Sequence, residues 1–329
     1  MVKSAFASIS NLEQAISRKI SRAHRGVSDV ERRLARAHGL AAQLPPLVIK
    51  EARLAGQAPG THGRKRAGSG TDFWQFRAYQ WGDSAAAIDW RQSARFSQVQ
   101  IREREWQAPR NLYLWCDPSA SMYWGTPPNL QKRERACLLL LTLAVLALEA
   151  GEAVSLLEPS AVASVGRARG QLLALQLEEQ ERRFRRTGVV SLPEPVVLKP
   201  DSYALLFSDF LDDLGEISER VRAISSRGVR GSLVQVLDPA ELSLPWRGGA
   251  IFRGLEGEPA WRARRIEALR EEYRGRLEAR RGELLALARV SGWEFIGDEG
   301  DSDGDGALLS VLLRLHSAIS AAPTVKQDN

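Results

Sequence analysis

Asp117, Ser119 and Ser121 stand two residues apart in one short stretch, Asp117-Pro118-Ser119-Ala120-Ser121, directly after the apolar run RNLYLWC (110–116). A second apolar run, YALLFS (203–208), ends the same way, at Asp209. If these runs are neighbouring parallel strands, both carboxylates meet at the C-terminal edge of the sheet, where open α/β sheets gather ligands. Two carboxylates meeting without a cation repel, and one then tends to hold a proton. A small hard dication relieves this, and donors that are all oxygens favour Mg2+, Mn2+ or Ca2+ over zinc. Four side chains leave an octahedron unfilled, so water or an acidic residue of a partner protein would complete it. The aspartate and serines equally suit a plain cap for the helix that follows, and spacing alone does not separate the two readings.

The elements that position these residues alternate. Strands are read at 110–116, 153–157, 161–165, 203–208, 231–237 and 293–297. Helices are read at 129–150, 169–186, 213–227, 259–290 and 306–320, with an extended segment at 98–105. Strands that are apolar almost throughout, interleaved with helices, predict an α/β fold: a mostly parallel, Rossmann-like sheet covered on both faces. The longest uncharged run, ACLLLLTLAVLAL (136–148), has 13 residues. That is short of the roughly 20 needed to cross a bilayer and predicts a buried helix, so no transmembrane segment is expected.

The formal charge of +6 is unevenly spread over the 329 residues. Residues 1–70 carry 13 Lys and Arg against 4 Asp and Glu, and the rest carries 33 against 36. The basic stretch has helical spacing over residues 8–57, interrupted by Pro45 and Pro46. It is either a solvated helical face or a surface for nucleic acid, which keeps a nucleic-acid-binding protein as one alternative. Six of the nine tryptophans fall between 71 and 125, a pattern that suits packing between elements or base stacking. Cys116 and Cys137 sit in apolar settings and are read as reduced thiols. The N-terminus lacks a continuous apolar core of the signal-peptide kind, and a cytoplasmic location is expected. Two stretches imitate known loops and are set aside. Gly63 to Ser69 lacks the phosphate-loop lysine, and the run from Asp301 has Leu312 where an EF-hand needs glutamate.

Upstream of Asp117, residues 68–95 read GSGTDFWQFRAYQWGDSAAAIDWRQSAR. Gly68, Gly70, Asp72, Phe73, Arg77, Tyr79, Gly82, Asp83, Ile88, Asp89, Trp90, Ser93, Ala94 and Arg95 fall in the order of a signature that resembles the domain-of-unknown-function family 58. Asp117, Ser119, Ser121 and Met122 follow, and this D-x-S-x-S stretch resembles the metal ion-dependent adhesion site of von Willebrand factor type A domains. The resemblance spans about residues 58–320. It implies a von Willebrand A-like domain in a bacterial cytoplasmic protein, a non-enzymatic metal-dependent binding adaptor. It further implies a MoxR-type AAA+ ATPase as partner in chaperone-like complex assembly. Asp117, Ser119, Ser121 and Asp209 are then the metal ligands, Asp209 by its position at a strand end. One departure stands out: von Willebrand A domains add a threonine from a second loop, and residues 165–171 hold none. Arg167 and Arg169 stand there instead, where an arginine could take the cation's place.

The expected organisation is a basic helical segment (1–57), the signature region with its Trp-rich β extension (58–108), the α/β domain (109–322) and a frayed tail (323–329). Asp72, Arg77, Asp83, Asp89, Arg91 and Arg95 are expected either to form a buried ion-pair network or to dock a partner. A metal-dependent hydrolase is the second alternative. It is disfavoured because position 119 holds Ser where an aspartyl-nucleophile phosphatase wants its second acid, and no G-x-S-x-G elbow occurs.

Overall fold

The computed structural model describes residues 29–49, 73–79, 88–95, 98–104, 110–126, 130–158, 162–166, 168–187, 192–194, 196–200, 202–253, 255, 259–300 and 304–320. These form two compact units, one of residues 29–49 and 110–320, the other of residues between 73 and 104.

In the larger unit, β3 (Asn111–Cys116), β4 (Ala153–Leu156), β5 (Tyr203–Ser208), β6 (Arg230–Val236) and β9 (Glu294–Asp298) form one sheet in the order β4-β3-β5-β6-β9. Every pairing in it is parallel. The helices connecting these strands, in chain order, are α3 (Lys132–Glu149), α4 (Ala168–Thr187), α5 (Leu214–Ser225), α7 (Ile266–Val290) and, after β9, α8 (Asp305–Ser320). An additional helix, α1, covers residues 29–41.

Side-chain alternation along the strands explains why their sequences are apolar throughout. Leu112, Leu114 and Cys116 join one core with Tyr203, Leu205 and Phe207, beneath α1, α3, α4 and α8. Tyr113, Trp115, Ala204 and Leu206 join the opposite core beneath α5 and α7. Both faces are covered, and the polar residues buried within the strands, such as Ser208, Ser232 and Gln235, are hydrogen-bonded. The run ACLLLLTLAVLAL lies in α3, buried from Arg135 to Leu148 because α4, α8 and the sheet enclose it. Residues 29–49, read as part of a separate basic segment, contribute Val30, Leu40 and Leu47 to this core.

Three readings are corrected. The helix expected at 259–290 begins at Ile266, because Trp261–Ala263 is a strand, β8, paired antiparallel with β7 (Ala250–Phe252). Strands of three residues are too short for any periodicity to announce them. The strand expected at 161–165 is one isolated bridge, Val154 to Ser164. A short helix absent from the reading, α6 (Pro239–Ser243), opens on a capping box of Asp238 and Glu241.

In the smaller unit, β1 (Phe73–Ala78) pairs antiparallel with β2 (Gln100–Arg104), and a single helical turn, α2 (Trp90–Ser93), precedes β2. The extension is thus β in character, as expected. Asp89 caps α2, its carboxylate accepting from Gln92 N at 2.9 Å, while Arg91 and Arg95 are exposed. These three therefore make no buried ion-pair network. Asp72, Asp83 and the Arg77 side chain lie outside the described residues.

Candidate metal-binding site at the strand tips

The chain leaves β3 to one side of the sheet through β4 and returns to the other side through β5. The β3–β5 seam is therefore the point where strand order reverses, the place where such sheets bind ligands. Cys116 pairs with Phe207 across it, and Asp117 N donates to Phe207 O at 2.9 Å, so Asp117 and Asp209 emerge side by side.

Asp117 is fully buried. Its carboxylate accepts from Ser119 N at 2.7 Å and from the Ser208 hydroxyl at 2.6 Å. Among the described residues no ammonium or guanidinium bonds it. Burial above all pushes its pKa up to about 7; the Ser208 hydrogen bond pulls it down, and the negative charge of Asp209 pushes it up. Ser119 and Ser121 bring their hydroxyls within 3.1 Å of each other on the one-turn 3-10 helix Ala120–Tyr123. Neither Asp117 nor these serines cap α3: the Ser119 side chain makes no capping bond, and the α3 cap position is Gln131.

Asp209 is 2% exposed and is met by a cation that sequence reasoning missed. Lys132, in the first turn of α3, places Nζ 2.8 Å from Asp209 Oδ2 and 2.7 Å from Glu241 Oε1. Burial opposes the Lys132 charge, yet the two carboxylates outweigh it and raise the pKa, so the ammonium persists. Burial likewise raises Glu241, against the pull of Lys132. The turn after β5 is held open by Phe210, a buried residue at φ 51°, and by Gln235, whose amide donates to Asp209 O at 2.9 Å. A non-glycine residue in the left-handed region is uncommon and marks a backbone set by its surroundings.

The arginine proposed as a rival cation goes elsewhere. Arg169 donates to Val154 O and Ser155 Oγ, both at 3.1 Å, and so serves β4; Arg167 lies outside the described residues. Two further strand tips end in aspartates that the sequence reading did not use. Asp298, the last residue of β9, pairs with Arg135 at 2.6 Å, and Asp238 accepts from Thr126 N, Thr126 Oγ1 and Ala240 N. Among the described residues the carboxylates of Asp117 and Asp238 take only neutral donors, whereas Asp209 and Asp298 each pair with a cation. The sequence signal for Glu241 was its capping box, D-P-A-E. Lys132 carried none, since 77 and 109 residues separate it from its partners.

Asp117, Ser119, Ser121 and Asp209 thus form a cluster of carboxylate and hydroxyl oxygens, the donor chemistry of a hard dication. Two buried cations stand at this cluster: Lys132, against Asp209 and Glu241, and Arg133, whose Nη1 donates to Asp117 O at 2.7 Å. A dication at this cluster would have to share Asp209 with Lys132 and do without the second-loop threonine. Among the described residues no group of three or more His, Cys, Asp or Glu side chains is placed to hold a metal ion. A pocket of about 660 Å3 opens beside the cluster, with Ser121, Lys132, Asp209 and Glu241 on its polar side. Trp246, Ile251 and Leu255 contribute to its apolar side and are exposed. Cys116 and Cys137 lie beneath the cluster, both buried and free.

A parallel α/β sheet with an acidic, hydroxyl-bearing cluster at its switch point defines the class of protein. More particularly, the chain belongs to the family described as protein of unknown function DUF58, whose model matches residues 75–283. It is similar to uncharacterized proteins of Mycobacterium bovis and Mycobacterium tuberculosis, at 25% identity over 281 residues, 78% of this chain and 83% of theirs. Two solved structures are also similar. One is an aerotolerance-related membrane protein from Bacteroides fragilis NCTC 9343, with 14% identity over 64% of this chain and 98% of that one, at a TM-score of 0.36. The other is the conserved hypothetical protein BatB from Bacteroides thetaiotaomicron, with 13% identity over 63% and 98%, at a TM-score of 0.33. Among the described residues no helix is long and apolar enough to cross a membrane.

Proposed function

We propose that the protein is a non-enzymatic, metal-dependent binding adaptor of the von Willebrand A-like kind, which grips an acidic side chain of a partner protein. Asp117, Ser119, Ser121 and Asp209 would hold the dication, Mg2+ or by the same chemistry Mn2+ or Ca2+. The ion supplies a coordination position open to the partner's carboxylate. One observation carries this reading: Asp117 is fully buried, and among the described residues no cation bonds its carboxylate oxygens, Arg133 meeting only its backbone oxygen, beside two hydroxyls 3.1 Å apart at the switch point of the sheet.

Each residue has a separate task. Ser119 N and Ser208 orient the Asp117 carboxylate. The bend from 117 to 121 presents the hydroxyls, and Gln235 fixes the backbone from which Asp209 projects. The exposed apolar residues Trp246, Ile251 and Leu255 offer area that a protein partner can bury around the ionic contact. Binding is preferred to hydrolysis because the described histidines lie elsewhere: His38 is on α1, and His316 meets Pro46 O at 3.2 Å. The partner we propose, a MoxR-type AAA+ ATPase, comes from the family resemblance, and the two free thiols suit a cytoplasmic setting.

The test is affinity capture of a purified MoxR-type ATPase in Mg2+ and in EDTA, using wild type and Asp117→Ala. The ATPase is retained by wild type in Mg2+ and lost in EDTA or with Asp117→Ala. Retention unchanged by both would overturn the metal-dependent mechanism.

A further inference from the structure

We infer that Lys132 is a built-in competitor for the dication, an ammonium that lowers the affinity of the strand-tip site and keeps its occupancy reversible. This rests on the metal-binding reading above and assigns a residue outside its ligand set.

A buried ammonium is costly to desolvate and persists only where carboxylates match it. Lys132 is 2% exposed and is matched twice, by Asp209 at 2.8 Å and by Glu241 at 2.7 Å. Contact with Asp209 places a positive charge against one of the oxygens a dication needs, while among the described residues the Asp117 carboxylate takes Ser119 N and the Ser208 hydroxyl, and Arg133 meets only its backbone oxygen. Two cations sharing one carboxylate in a buried setting repel strongly. Glu241 also gives the ammonium an anchor independent of Asp209, which a lysine serving only to neutralise Asp209 would not require. The anchor sits on α6, whose capping box with Asp238 holds Glu241 in place: Asp238 N donates to Glu241 Oε2 at 2.9 Å. The ammonium is thus positioned by a rigid element and not by chance contact.

Isothermal titration calorimetry with Mg2+ and the Mg2+-induced rise in Tm test the inference on the full chain. The set is wild type, Lys132→Met, Glu241→Gln and Asp117→Ala. Lys132→Met keeps the length of the stem and removes the charge; it binds Mg2+ about tenfold or more tightly than wild type, and its Tm rises further with Mg2+. Glu241→Gln leaves the ammonium to Asp209 alone and binds Mg2+ several-fold more weakly. Equal Mg2+ affinity in wild type and Lys132→Met overturns the inference and leaves the site reading intact. If Lys132→Met does not fold, Glu241→Gln decides, since unchanged or tighter binding by that variant overturns it. No Mg2+ binding in any of these proteins, or full binding by Asp117→Ala, overturns the metal site itself and the inference with it.

Discussion

The Ser208 hydroxyl donates to Asp117 Oδ2 at 2.6 Å, across the seam between β5 and β3. One strand tip thereby steadies the acid of its neighbour. The bond does not neutralise that acid, and burial leaves Asp117 with a pKa of about 7.

The metal-free protein should therefore lose stability as pH rises. The folded value of about 7 lies above the ordinary aspartate value near 3.9, so the folded chain holds this proton more tightly than the unfolded one. The contribution is complete below about pH 4 and disappears as pH climbs through 7. In EDTA it amounts to a loss on the order of 4 kcal/mol between those limits, and Asp117→Asn removes that part of the slope. Urea denaturation at stepped pH measures it; parallel profiles for wild type and variant would contradict the assignment.

Arg135 and Asp298 form a two-bond pair at the tip of β9, at 2.6 and 2.8 Å, both nearly inaccessible to solvent. Arg135→Ala leaves the carboxylate buried without its partner and should cost about 3–5 kcal/mol. Arg135→Met combined with Asp298→Asn should recover much of that, because no uncompensated charge remains. A double-mutant cycle by urea denaturation checks both statements. A double variant no more stable than Arg135→Ala would show that the pair does more than balance charge.

Gly231 in β6 has no room for a side chain. An added Cβ would stand 2.6 Å from Ala204 O and 2.8 Å from the Trp293 ring, whose Nε1 donates to Val229 O at 3.0 Å. Gly231→Ala should lower stability by about 1–3 kcal/mol through this overpacking. Thermal melting followed by tryptophan fluorescence reads it, and an unchanged Tm would show that both the Ala204 backbone and Trp293 give way freely.

Much of the scaffold was legible because burial on two sheet faces writes long apolar runs. YALLFS and RNLYLWC could be read as strands, and ACLLLLTLAVLAL as an enclosed helix, from composition alone. Asp117, Ser119, Ser121 and Asp209 could be read as a group because strand ends and a close sequence spacing announce them. The β7–β8 hairpin escaped notice, since three-residue strands have no period to detect. Lys132 escaped for a different reason: at the head of α3, in the stretch Lys132-Arg133-Glu134-Arg135, it resembles an ordinary solvated charge.

By itself, the chain's order of residues determined the α/β class, the apolar strands and the oxygen-rich bend after β3, since local periodicity and spacing carry that information. Only the tertiary structure decided that β3 and β5 are neighbours, that Arg169 serves β4, and that Lys132 reaches Asp209 and Glu241. Those outcomes follow from where helices and strands pack. Charges separated by 77 and 109 residues meet because the fold buries them together, and no local pattern encodes such a meeting.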